Sequence, residues 1–192
     1  MNVFLETDRL LLRRFTPADE DNLVELDSDP EVMRFLTGGK PTPRDVVRHD
    51  LLPWILRNYE RYDGRFGLWA AVAKPGGRFL GWFELRPRED GRADEVELGY
   101  RLRRDAWGRG YGTEGARALV DRAFATPGVR RVFAETMAVN TASRRVMEKA
   151  GLRYVRTFHQ EWEEQIDGSE HGDVEYALTR SEWERSGGPV AA

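Results

Sequence analysis

The chain has 192 residues and no cysteine. That absence excludes disulfides, thiol nucleophiles and cysteine-held zinc, and it fits a reducing compartment. Histidine is scarce as well. His49, His159 and His171 form no ligand pair at helical spacing, so no metal site is expected. No apolar run approaches the ~20 residues of a membrane span. The opening residues lack the basic start and apolar core of a signal peptide. The expected location is therefore the cytoplasm, with no membrane partner. A formal net charge of −3 gives no electrostatic draw toward nucleic acid. Repeats, low-complexity tracts and linkers are missing too. What remains is an ordinary soluble composition, 33% charged and 40% hydrophobic, long enough for one domain with a real core.

The pattern along the chain alternates strand and helix signals. Arg9 to Arg14 reads as a first strand. Thr16-Pro17 starts a helix through cap chemistry, and that helix stops near Asp29-Pro30. A short turn over Glu31 to Leu36 leads to the Gly38-Gly39 break. Thr42-Pro43 starts a second helix, which Pro53 should kink. Phe66 to Ala73 and Arg78 to Arg86 read as strands joined through Pro75-Gly76-Gly77, and Glu95 to Leu102 as a third in this series. A helix over Thr113 to Ala125 follows, then a strand over Val132 to Val139 and a helix from Asn140 to Gly151. Leu152 to Trp162 and Val174 to Thr179 read as the last strands, with a short helix near Ser181. The expectation is one mixed α/β (α+β) domain over residues 1–184, with about 6–7 mostly antiparallel strands flanked by helices. Residues 185–192 read as a loose tail.

One run stands out: Ala106-Trp107-Gly108-Arg109-Gly110-Tyr111-Gly112-Thr113-Glu114-Gly115. It lies between a strand and a helix. A glycine turn that opens a helix leaves backbone N–H groups free at the positive end of the helix dipole, which suits a phosphate or pyrophosphate. Glycine matters because a Cβ keeps an anion off the main chain. The same run also reads as a tight strand-to-helix turn with no ligand. A Walker loop needs Gly-Lys-Ser/Thr and finds no lysine here. The dinucleotide fingerprint is matched by letters at Gly110, Gly112 and Gly115, with Glu135 in the place of a ribose acid. The hairpin-like strands before it argue against that reading.

The run, with three further blocks, resembles the GNAT superfamily of N-acetyltransferases, and within it the RimJ/RimL-like group that acetylates protein N-termini. The turn Trp107-Gly108-Arg109-Gly110-Tyr111-Gly112 is similar to the family's Gln/Arg-x-x-Gly-x-Gly/Ala, with Trp107 in place of Gln/Arg. Asn140-Thr141-Ala142-Ser143 through Glu148-Lys149-Ala150-Gly151-Leu152 resembles a second family block. The opening Leu5-Glu6-Thr7-Asp8-Arg9-Leu10 and the ending Val174 to Leu178 with Glu182-Trp183 agree. The blocks span nearly the whole chain.

The resemblance implies a split strand pair that receives the arm of acetyl-CoA. The main chain near Tyr100 to Leu102 would bind pantetheine as an extra strand would. Trp107 and Gly108 to Thr113 would hold the pyrophosphate, and Arg109 would add charge there. Arg103 and Arg104 lie either near the phosphates or in a solvated loop. Asn140 is either a helix cap or a contact to the thioester region, and both can hold. Acetyl transfer to an amine needs a base, donors for the carbonyl oxygen, and a proton for the thiolate. Glu97 and Glu135 are the candidate bases, and pairing with arginine is the competing reading for each. The family's usual tyrosine acid is Met147 here, which donates no proton. Ser143, one helical turn earlier, takes its place as the partner of the sulfur.

The acceptor implied is a primary amine, foremost a protein or peptide N-terminal α-amine, attacked directly in a ternary complex. A small-molecule amine is the alternative, as is a non-catalytic CoA-binding or interaction domain on the same fold. Met33, Phe35, Leu36, Trp54 and Tyr59, then Glu163, Glu164, Asp167 and Glu170, fall in the segments that build acceptor pockets in such enzymes. The acids either attract a cationic acceptor or form a solvated loop. Trp69, Trp82 and Trp162 read as core. Dimers are common among such domains, and no segment here singles one out.

Overall fold

The computed structural model describes residues 2–88, 93–160 and 166–187. Eight strands, β1 (Val3–Glu6), β2 (Leu10–Arg14), β3 (Gly67–Ala73), β4 (Phe79–Pro87), β5 (Glu95–Leu102), β6 (Arg131–Met137), β7 (Arg153–Phe158) and β8 (Asp173–Thr179), form a mostly antiparallel sheet. Its hydrogen-bonded order is β1-β2-β3-β4-β5-β6-β8-β7. The helices are α1 (Glu20–Ser28), α2 (Pro30–Thr37), α3 (Arg44–Val46), α4 (Leu52–Arg61), α5 (Tyr111–Ala125), α6 (Thr141–Lys149) and α7 (Arg180–Arg185). Trp162, Glu163 and Glu164 and most of the expected tail lie outside the described residues. The chain forms two compact units, Met1–Glu84 with Tyr100–Gly112, and Leu85–Gly99 with Thr113–Ala192.

In the first unit, strand count exceeds the expectation by β1. It pairs antiparallel with β2 around Thr7, whose side chain accepts from the Leu10 N–H at 3.0 Å. The four residues of β1 are too short to read as a strand alone, and pairing supplies what periodicity lacks. The segment expected as a turn, Glu31 to Leu36, is the helix α2. Asp29-Pro30 serves as its start as well as the end of α1. The Asp29 carboxylate accepts from the Glu31 N–H at 3.0 Å, Pro30 sits in the first turn, and Gly38 closes the helix at φ 66°. The Pro53 kink takes the form of a π turn over Val47–Leu51, where the Leu52 N–H reaches the Val47 carbonyl. The wider turn relieves the clash that a proline ring makes with the carbonyl four residues back.

The core of this unit is built from Leu10, Leu12, Leu23, Leu26, Met33, Ile55, Trp69 and Phe83, all nearly inaccessible. Trp69 is core as expected, and Phe4 stacks on it with ring centroids 3.8 Å apart. Tyr59 is buried as well. Its hydroxyl accepts from the Phe15 N–H at 3.0 Å and donates to the Leu68 carbonyl, and burial pushes it up to about 12. Met33 and Tyr59 therefore sit in the core, while Leu36 is exposed.

Asp19 anchors the start of α1. It accepts from the Thr16 N–H at 2.9 Å and from Arg13 through two bonds of 2.6 and 2.8 Å. Burial pushes its carboxyl up, but Arg13, Thr16 and Asn22 together pull it down to about 2. A depressed carboxylate contributes stability that is present above its ordinary 3.8 and lost as pH falls toward 2. The size is about 2 kcal/mol. Urea unfolding at pH 5 and pH 2 should show Asp19→Asn less stable than the parent at pH 5 and close to it at pH 2. A gap that stays constant between the two would contradict this.

The second unit buries Leu85, Val96, Leu98, Leu119, Val120, Phe124, Val132 and Tyr176. In it α6 packs on β6, β7 and β8. Trp183 of α7 sits 5.2 Å from Phe124 and donates to Asp121 of α5 at 2.7 Å.

Candidate active site

The glycine run turns tightly. Trp107 follows a 3-10 turn over Arg104–Ala106, and α5 begins at Tyr111, two residues before the expected start. Gly108 and Gly110 have φ of 70° and 83°, values that L side chains resist. Gly112 is helical and has no such requirement. A Cβ at Gly108 would meet nothing within 4 Å, so this position opens outward. The first N–H groups of α5 have no intrahelical acceptor. The turn thus fits an anionic group held by main-chain donors, as the sequence implies.

Other side chains around the turn change two expectations. The Trp107 indole, 46% exposed, donates to the Leu102 carbonyl at 2.8 Å, so one main-chain acceptor of the Tyr100–Leu102 stretch already has a donor. Tyr100 lies against Phe83, with ring centroids 6.1 Å apart. Arg103 pairs with Glu25, and Arg104 with Asp29 at 3.1 Å. Both are engaged by acids and are not simply solvated. The residue that reasoning from sequence missed is Arg9, which reaches the turn from the start of β2. Its guanidinium donates to the Arg109 carbonyl at 2.9 Å.

In the second unit, β5 and β6 are parallel and pair at Glu95–Arg131, Val96–Val132 and Glu97–Phe133. Five carboxylates lie on β5, β6 and β8 of this unit: Glu95, Glu97, Glu135, Glu175 and, at the start of β8, Asp173, which burial also raises. Arginines hold three of them closely. Arg86 bonds Glu97 at 2.5 Å, and Arg131 bonds Glu95 at 3.1 Å. Arg131 and Arg156 hold the nearly inaccessible Glu175, with Arg156 at 2.8 Å. Burial pushes Glu175 up, but those two arginines win and lower it.

Glu135 is different. Its closest cation among the described residues is Arg88, at 3.9 Å. Arg88 is also drawn to Glu95 at 3.3 Å and lies over the Phe133 ring at 4.6 Å. Burial first, then the charges of Glu97 and Glu175, raise Glu135 above the usual carboxylate range, against a smaller pull from Arg88 and Arg156. The two candidate bases therefore separate. Glu97 is an arginine-paired carboxylate, and Glu135 is one whose charged form the surroundings disfavour.

Asn140 caps α6, its Oδ1 accepting from the Ser143 N–H at 3.2 Å. Its Nδ2 donates to the Thr136 hydroxyl at 3.1 Å, which leaves one N–H and one lone pair of the amide to spare. Ser143 sits partly exposed in the first turn of α6, and Met147, one turn on, is 2% exposed. Thr113 lies in the first turn of α5. Of the expected acceptor-side acids, Asp167 and Glu170 are exposed. Trp82 is half-buried, with Arg101 over its ring at 5.1 Å. Among the described residues no cluster of histidine and acids is placed to hold a metal, and no helix is long and apolar enough to cross a membrane.

Residues 9–153 match the family model for the acetyltransferase (GNAT) domain. The chain is 37% identical over 187 residues to the FsC-acetyl coenzyme A-N(2)-transacetylase of Aspergillus fumigatus, covering 94% of this chain and 78% of that protein. Solved structures share the fold. An acetyltransferase (GNAT family) from Bacillus anthracis superposes with a TM-score of 0.72 at 22% identity, over 95% of this chain and all of that one. RimL, a ribosomal alpha-N-protein acetyltransferase in complex with coenzyme A, gives 0.76 at 17% identity, over 93% and 98%.

Proposed function

The chain belongs to the GNAT acetyltransferase family, and from that premise we propose that it moves the acetyl group of acetyl-CoA to the primary amine of a small-molecule acceptor, with Glu135 as general base. It is an acyltransferase by family. The observation that carries the base assignment is the uneven neutralisation of four glutamates, three held by arginine and one, Glu135, left raised.

In this reading Glu135 takes a proton from the acceptor ammonium, directly or through water, and frees the nitrogen lone pair. The nitrogen forms its bond to the thioester carbon, the carbon–sulfur bond breaks, and an amide is left. Main-chain donors stabilise the carbonyl oxygen while it carries charge. Ser143 bonds the departing sulfur and relays to it the second proton, which the attacking nitrogen sheds as the amide forms, a role Met147 cannot take. Gly108 to Thr113 hold the pyrophosphate through N–H groups, with Arg109 adding charge, and Trp107 braces the turn through its bond to Leu102. The main chain of Tyr100 to Leu102 holds the pantetheine arm, and Asn140 serves both as cap and as a donor toward the thioester. With no cysteine in the chain, an acyl-thiol intermediate is excluded and direct attack is the simplest course.

The acceptor class rests on a likeness that runs through most of both chains. The relative named as an N(2)-transacetylase is 37% identical across 94% of this chain, whereas RimL at 17% speaks for the fold. The run Trp107 to Glu114 and Ser143 keep the RimJ/RimL-like branch, and with it a peptide N-terminus, as the second reading. A screen settles the choice: small primary amines and amino-acid amides against peptides with varied N-termini, read by free thiol and by product mass. Small amines should be acetylated with the higher kcat/KM. Preferred acetylation of peptide N-termini would replace the small-molecule reading, and silence from both sets would sink the catalytic one.

A further inference from the structure

We propose that Arg9 is a positioning residue for the coenzyme: it sets the glycine turn so that the Gly110 N–H faces the pyrophosphate. The inference rests on the reading of that turn as the coenzyme cradle, and it concerns a residue about a hundred positions earlier in the chain.

The argument starts from the peptide between Arg109 and Gly110. The Arg9 Nη1 donates to the Arg109 carbonyl at 2.9 Å. The Arg109–Gly110 peptide is trans, and in a planar trans peptide the C=O and the following N–H point in opposite directions. A carbonyl held toward Arg9 therefore turns the Gly110 N–H to the other side of the turn, away from the guanidinium. Gly110 stands at φ 83° and Gly108 at φ 70°. Gly110, on one side of that peptide, can take either sign of φ, so the peptide flips at little steric cost. Without an outside hold, the N–H would sample both faces, and an anion would have to order it on binding. Arg9 removes that freedom beforehand, which is preorganisation.

Two further contacts fix Arg9 itself. Its Cζ lies 4.6 Å from the centre of the Tyr111 ring, at the first residue of α5. Its Nη2 comes within 3.2 Å of where a Cβ on Gly110 would sit. The guanidinium is thus seated on the carbonyl before Gly110, against the α-carbon of Gly110, and on the ring after it. A lysine has a single nitrogen without the flat face and cannot make all three contacts at once.

The test compares Arg9→Ala and Arg9→Lys with the parent. Calorimetry gives the Kd for CoA, and turnover is measured with acetyl-CoA and with acetyl-pantetheine, which lacks the pyrophosphate. The expected result is a roughly tenfold weaker Kd and a matching rise in KM for acetyl-CoA in Arg9→Ala, a smaller loss in Arg9→Lys, and kcat near that of the parent. With acetyl-pantetheine the three proteins should agree within about twofold, since no pyrophosphate is there to feel the turn. Thermal midpoints of the unliganded proteins monitor folding. If Arg9→Ala does not fold, Arg9→Lys alone decides. Unchanged CoA affinity in the folded variants overturns the inference, as does an equal loss with acetyl-pantetheine. A parent protein that binds no CoA overturns the cradle reading itself, and is distinguished from the other outcomes because it shows before any substitution is made.

Discussion

Replacing Glu135 by glutamine is expected to lower kcat/KM by about 10²- to 10³-fold while leaving CoA affinity and folding nearly unchanged. The size follows from the role: glutamine keeps the shape and a hydrogen-bond acceptor but takes no proton at neutral pH. The pH dependence carries the sharper signature. Burial and the charges of Glu97 and Glu175 hold the Glu135 carboxyl above its ordinary 4.5. Activity of the parent should therefore rise with pH through that raised value, and this acidic limb should vanish in Glu135→Gln. The stability sign runs the other way from Asp19. A raised carboxyl means that the charged form is disfavoured in the fold, so removing the charge at neutral pH should not cost stability. Glu97→Gln is the comparison. Glu97 is bonded to Arg86 at 2.5 Å, so its loss frees a cation and disturbs a pair, and it should reduce activity less than the Glu135 change does. A larger activity loss at Glu97 would reverse the assignment of the base.

The largest expected effect on stability comes from Asp27→Ala, at about 3–5 kcal/mol. Asp27 is 1% exposed at the end of α1. Its Oδ1 accepts from Arg101 of β5 at 2.5 Å, and its Oδ2 accepts from the Thr42 hydroxyl at 2.7 Å. The Arg101 Nε is buried with no partner among the described residues, so the carboxylate is the main compensation for that charge. Alanine would leave a guanidinium with 18% exposure uncompensated, and would also orphan the Thr42 hydroxyl. Asp27→Asn should fall between parent and alanine, because it keeps an acceptor for one donor and loses the charge. Urea denaturation of the three proteins measures this directly. A loss below about 1 kcal/mol for alanine would mean that the pair is balanced by its own desolvation.

Much of the fold was legible where one face is wet and the other dry. The alternation of Glu95-Val96-Glu97-Leu98 delimits β5 end for end, with Val96 and Leu98 buried. Asn140 was readable as a cap because an N-cap needs only local chemistry. What escaped was set by partners elsewhere in the chain. The strand β1 exists through its pairing with β2. The helix α2 was hidden because Asp29-Pro30 serves equally as an end and a beginning. Met33 and Tyr59 lie near the expected acceptor segments in sequence but face the core.

The candidate site divides in the same way. Periodicity says which face Glu97 and Glu135 share with their neighbours, but the arginine that meets each depends on register, which sequence alone does not give. Hence sequence leaves both glutamates as candidates, and the placement of Arg86 and Arg88 distinguishes them. Arg9 stood inside a recognised opening block, yet nothing local tied it to a glycine turn so far along the chain.

The most direct test of the account is the initial rate of thiol release over a matrix of acetyl-CoA and primary-amine concentrations, with the acetylated amine quantified alongside. The account predicts one thiol for each amide formed, and intersecting double-reciprocal lines, as attack within a ternary complex requires. Tight CoA binding with no amine-dependent thiol release from any acceptor would contradict it and leave a coenzyme-binding domain without catalysis.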